Sequence, residues 1–170
     1  MTMVSEPPKG GVELSFDSIH EGWSIYKTKD GVLIKIRQIP LRITLVDVKE
    51  DGTGMISAGG SLFFAVTAPL KGPPNNQPIT HEQIIAAIVE PEVQFDIVQE
   101  DWSEYNAEGV KIALRVVATA IAKTSLFDAI GEPVYNVSYQ IMVRPITTPE
   151  ARATFKKIWE ERSPKKTAPV

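Results

Sequence analysis

Few side chains in this sequence can do covalent or acid–base chemistry. The chain has two histidines, His20 and His81, and no cysteine, which excludes a cysteine nucleophile, a thiolate metal site and a disulfide framework. A hydroxyl nucleophile needs a positioned base beside it, usually an imidazole. His81 falls in the first turn of a short helix and His20 in a carboxylate-bearing turn, and no Gly-x-Ser-x-Gly elbow occurs. Acyl transfer is therefore not expected. Asp17, His20 and Glu21 could approach a metal from one turn, since hard cations accept carboxylates and imidazole suits transition metals. A related stretch further along keeps Asp96 and Glu100 but carries Gln99 where His20 stands, so a solvated acidic turn is the expectation and no metal site is assigned. Pairing these carboxylates across the two stretches as a glycosidase site has no distance to support it. The glycines of Gly52-Thr53-Gly54 and Ser57-Ala58-Gly59-Gly60-Ser61 lack the Lys-Ser/Thr or the helix that a phosphate loop requires. No cofactor is expected, and the chain reads as non-enzymatic.

Binding chemistry is better represented. Phe16 to Tyr26, FDSIHEGWSIY, returns as FDIVQEDWSEY, Phe95 to Tyr105, with Phe16/Phe95, Asp17/Asp96, Glu21/Glu100, Trp23/Trp102, Ser24/Ser103 and Tyr26/Tyr105 in register and Ile19 against Val98. The match extends through Gly31-Val32 against Gly109-Val110 and through Arg37 against Arg115, and such self-similarity is the mark of a repeated unit. The candidate binding residues are Trp23, Tyr26, Arg37, Trp102, Tyr105 and Arg115. Indole and phenol rings stack on sugars, bases or a partner's side chains. The plainer reading makes them the core of each unit, with Trp23 and Trp102 in equivalent, largely buried positions where truncation to alanine would cost about 3–5 kcal/mol. Lys35, Arg37, Arg42, Lys111 and Arg115 lie on the solvent faces of corresponding strands, which normally means only a solvated face or a protected edge.

These residues must be positioned by strands. Residues 1–11 form a Pro- and Gly-bearing arm, and 12–70 a first β module. In that module a hairpin turns at Lys29-Asp30-Gly31, with Val32, Ile34 and Ile36 on one face and Leu33, Lys35 and Arg37 on the other. Pro40 should bend or bulge the strand, and Gly59-Gly60 suggests a kink or close backbone approach in the next. Residues 71–90 hold a linker and a short helix, with Thr80 and Gln83 as a capping box, an apolar stripe of Ile84, Ile85 and Ile88, and Pro91 as the stop. Residues 91–146 replay the module with a hairpin loop one residue shorter and Val110, Ile112, Leu114 and Val116 facing inward. Residues 147–163 make a C-terminal amphipathic helix capped by Thr148, with Ala151, Phe155, Ile158 and Trp159 on one side. Residues 164–170 are a tail. The expected fold is mainly β: two repeated antiparallel β-meander modules forming a barrel or sandwich around a pseudo-two-fold, with a linker helix and a C-terminal helix.

At 170 residues and 43% apolar content the chain can bury a sizeable core. Its 18 basic and 21 acidic residues leave a net charge of -3, which argues against holding polyanions by bulk charge. No apolar run approaches the ~20 residues that span a bilayer and no signal-peptide profile opens the chain, so a soluble, cytoplasmic protein without membrane partners is expected. The function these features favour is a structural or adaptor subunit working by protein–protein contact in a homo- or hetero-oligomer. The alternatives are a small β-barrel that binds single-stranded nucleic acid or another extended polymer, and a small-ligand-binding barrel.

Overall fold

The computed structural model describes residues 10–144 and 148–164. Most of the expected arm, the junction at 145–147 and the tail from 165 onward lie outside the described residues. The elements in chain order are β1 (Val12–Leu14), β2 (Phe16–His20), β3 (Ser24–Thr28), β4 (Leu33–Val48), β5 (Gly54–Thr67), α1 (His81–Ala86), β6 (Ile88–Glu90), β7 (Phe95–Glu100), β8 (Ser103–Ala107), β9 (Val110–Phe127), β10 (Pro133–Val143) and α2 (Pro149–Arg162). The fold is mainly β. Its strands form two five-stranded antiparallel sheets packed as a sandwich rather than a closed barrel.

The long strands β4 and β9 are the spines. On one side β4 pairs with β5 along its length; on the other its first part pairs with β3 and its later part with β1. In the other sheet β9 is flanked by β10, β8 and β6 in the same order. Neither half of the chain closes a sheet alone, because β2 pairs with β8 and β7 pairs with β3. Aromatic contacts fasten this exchange. Phe16 of β2 meets the Tyr105 ring edge-on at 5.8 Å, and Phe95 of β7 meets Tyr26 edge-on at 5.4 Å, a geometry worth about 0.5–1.5 kcal/mol beyond area burial.

Local sequence explains the turns. Glu108 (φ 48) and Gly109 (φ 91) both take positive φ, as a two-residue hairpin loop matched to strand twist demands, while the β3–β4 loop is longer and places Gly31 at φ 82. Strand β4 alternates as expected, with Ile34 and Ile36 fully buried. Its register with β5 shifts just after Pro40, where proline cannot donate to the ladder. Opposite that point a Cβ on Gly60 would stand 2.1 Å from the Ile39 carbonyl oxygen, so the close approach expected at the Gly59-Gly60 pair is present.

Two cores lie between the sheets. In the first, β1 and the later part of β4 face Tyr105, Val110, Ile112 and Leu114, and α2 closes it with Ala151, Phe155 and Ile158. Helix α2 starts as the sequence implies, Thr148 Oγ1 accepting from the Ala151 N–H with proline in the first turn. In the second core, Tyr26, Val32, Ile34 and Ile36 face Val116, Ala118 and Ile121. Helix α1 has the expected capping box but buries no residue. A cavity of about 370 Å³ opens among Val32, Ala68, Phe127, Pro133 and Tyr135. The stripe expected to run through Ile88 stops short. The Ala87 carbonyl accepts from the Ser125 N–H, which draws the chain onto the side of β9, and Ile88 opens β6 instead of continuing the helix.

Candidate binding surface

The residues between β2 and β3 cross those between β7 and β8 at the seam of the sandwich. Gly22 N–H donates to Ser103 Oγ at 2.9 Å, and Asp101 N–H donates to the Trp23 carbonyl at 3.2 Å. Ser24 Oγ donates to the Val116 carbonyl at 2.5 Å. A Cβ on Gly22 would stand 2.8 Å from Asp101 Cβ, so only glycine lets the segments cross this closely. The seam cavity is about 10 Å³, room for roughly one water molecule.

This crossing turns both tryptophans away from the cores. Arg37 follows the inward Ile36 and Arg115 follows the inward Leu114, so both arginines lie on the outer faces. The Arg37 guanidinium sits 4.7 Å from the Trp23 ring centre, with Lys35 Nζ at 5.9 Å. Arg115 sits 4.7 Å from the Trp102 ring, with Arg144 at 4.5 Å. Arg37 also pairs with Glu21 at 3.5 Å, whereas Nε of both Arg37 and Arg115 is buried without a hydrogen-bond partner. The guanidiniums are therefore held largely by the ring faces, an attraction of about 0.5–2 kcal/mol each.

Apolar side chains border both stacks. Phe63, 51% exposed, meets Trp23 at 6.0 Å and is the cross-strand partner of Arg37. Met142 is the cross-strand partner of Arg115 and is 41% exposed. On the exchanged strands, Ile19 of β2 and Val98 of β7 are both more than half exposed.

The six candidate residues thus divide. Trp23 with Arg37, and Trp102 with Arg115, come together on outer faces, and the indoles are half-buried rather than largely buried as expected. Tyr26 and Tyr105 belong to the cores, at 0% and 1% exposure, because they stand on the inward parity of β3 and β8. Tyr26 Oη donates to Glu100 Oε2 at 2.6 Å and accepts from the Ala118 N–H at 2.8 Å. Burial, and next the Glu100 carboxylate, push its pKa up to about 12. The Tyr105 hydroxyl makes no well-oriented hydrogen bond, and burial, then the nearby Glu21 charge, raises its pKa against the opposing effect of the neighbouring Ser103 side chain.

Sequence reasoning missed Phe63, Met142 and Arg144. Their place on the surface follows from cross-strand register, which the bulges after Pro40 and at Ser138/Tyr139 shift. His20 Nε2 meets Asp101 Oδ2 at 2.7 Å, and among the described residues no three His, Asp or Glu side chains gather as a metal site would need. Nor, among the described residues, is any helix long and apolar enough to cross a membrane. No family model, curated protein or solved structure matches the chain.

Proposed function

We propose that this chain is a non-enzymatic structural or adaptor subunit that acts through protein–protein contacts made by the outer faces of its two sheets, in a homo- or hetero-oligomeric assembly. The observation that carries the reading is the pair of Trp–Arg stacks outside the cores, Trp23 with Arg37 and Trp102 with Arg115, each bordered by an exposed apolar side chain. Tryptophan, arginine, phenylalanine and methionine are the residues enriched where interfaces concentrate their binding energy. The cluster also lies where no core requires it. Native mass spectrometry of the purified chain, beside affinity capture with the wild-type protein, tests the reading. Defined assemblies are expected; a strictly monomeric particle that captures no polypeptide would sink it.

A second reading, binding of single-stranded nucleic acid, is favoured by Lys35, Arg37, Arg115 and Arg144 around the two indoles, since bases stack on aromatic rings beside cations. Against it, each ring already carries a guanidinium, and the net charge of -3 opposes a polyanion. Tryptophan fluorescence with oligonucleotides at low salt separates the two: unquenched emission removes the nucleic-acid reading. The small-ligand reading has the 370 Å³ cavity lined by Val32, Phe127 and Tyr135 in its favour, but the lysines there, Lys71 and Lys123, pair with Glu132 and Asp30.

A further inference from the structure

Strand β5 is a sheet edge: it pairs with β4 on one side, and among the described residues no strand pairs with the other. Such an edge presents a row of unpaired N–H and C=O groups, and proteins usually guard it with charge, proline or a covering element. The other edges carry guards. β2 holds Asp17, β7 holds Asp96 and Glu100, and β10 begins with Pro133 and has α1 packed beside it. β5 has none of these: from Gly54 to Thr67 it is fourteen residues, GMISAGGSLFFAVT, without a charged residue or a proline. Met55, Phe63 and Phe64 are 49%, 51% and 44% exposed along it.

We propose that β5 is a self-association edge, pairing antiparallel with β5 of a second copy of this chain so that the sheet continues across a two-fold axis. The inference rests on the protein-contact reading above and names one partner for it. A second copy is the occupant that the charge pattern favours. Two-fold pairing sets a segment against itself, and a strand bearing charge would then place like charges opposite one another. β5 avoids this in a chain whose net charge is negative. Centring the pair on Ser61, which the two-fold sets opposite its own copy, puts Phe63 and Phe64 opposite Gly59 and Ala58, so rings lie beside small side chains. With alternate residues facing the free side, the pairing forms on the order of ten backbone hydrogen bonds.

The test is the oligomeric state of Met55→Lys/Ser61→Lys, which puts cations on exposed or half-exposed edge positions and leaves both Trp–Arg stacks intact. Asn76→Lys/Gln77→Lys, in the exposed loop before α1, controls for added charge. Sizing with light scattering should give a dimer for the wild type and the loop control and a monomer for the edge variant, which should still melt cooperatively, below the wild type only by what association contributes. Hydrogen exchange of the wild-type β5 amides gives a second readout that does not depend on any variant folding, and their protection should fall on dilution. A wild-type monomer, a dimer that survives the edge lysines, β5 exchange that ignores dilution, or a monomeric edge that takes up an extended apolar peptide instead would each overturn the proposal. The tryptophans and their arginines lie off β5, which supplies only Phe63 at the border of the Trp23 stack, so affinity capture with their own variants judges the protein-contact reading separately.

Discussion

Replacing Tyr26 by phenylalanine and, separately, Tyr105 by phenylalanine removes the same atom from corresponding positions of the two cores, yet the structure predicts opposite outcomes. The Tyr26 hydroxyl bridges the sheets, donating to Glu100 Oε2 and accepting from the buried Ala118 N–H. Without it a backbone donor is left unpaired at 9% residue exposure, and a carboxylate loses a charge-assisted bond. Unsatisfied buried groups cost about 1–3 kcal/mol each, so Tyr26→Phe should lose about 2–3 kcal/mol. Tyr105 is equally buried, but its hydroxyl makes no well-oriented hydrogen bond, with the Ser103 side chain as its polar neighbour. Removing it discards an uncompensated polar group, so Tyr105→Phe should be neutral or stabilising by up to about 1 kcal/mol. Urea unfolding near neutral pH, with equal m-values, measures both. Alkali supplies an independent check. A tyrosine whose folded pKa is raised stabilises fully below its ordinary value near 10, and that contribution is lost as pH rises through about 12. Tyr26→Phe should lack this share of the alkaline loss, leaving the shares of Tyr105 and Tyr135, which burial also raises. Equal losses for the two variants would refute the assignment of Tyr26 as the hydrogen-bonded pin between the sheets.

Two further outcomes follow from the same geometry. Gly22→Ala should cost about 1–3 kcal/mol by urea unfolding, as overpacking does, because its methyl would press on Asp101 Cβ; a neutral result would mean the crossing is looser than described. Glu108 accepts from Arg162 at the end of α2 and from the Ser15 N–H, and chiefly the Arg162 bonds hold its carboxyl below the usual range. A depressed pKa contributes stability above the ordinary carboxylate range and loses it as pH falls through the folded value, so the protection of α2 amides, taken relative to their intrinsic exchange rate at each pH, should fall in acid, and Glu108→Gln should remove that dependence.

Period-two alternation in β4 and β9, the capping box at Thr80 and the Thr148-Pro149 start of α2 were legible because each is written within a few residues. The matched windows also marked the segments that meet at the seam. What the sequence could not show is that β2 and β7 exchange sheets, since strand exchange is decided by packing between residues far apart, such as Phe16 on Tyr105. The site divided for the same reason. Trp and Tyr in the motif look alike as aromatic anchors, but Gly22 and Asp101 start the crossing that turns each Trp outward, while each Tyr stands on the inward parity of the next strand. Phe63 and Arg144 become neighbours of the indoles only through cross-strand register, which bulges shift.

The central claim is that the two Trp–Arg stacks are a contact surface rather than core, and thermal melts of Trp23→Ala and Trp102→Ala, run beside affinity capture with the wild type, test it most directly. Half-buried rings that hold mainly a guanidinium should cost about 1–2 kcal/mol each when truncated, leaving both variants folded, while partners captured by the wild type are lost from one or both. Losses of about 3–5 kcal/mol, the range for large aromatics in a core, or capture identical to wild type from folded variants, would contradict it.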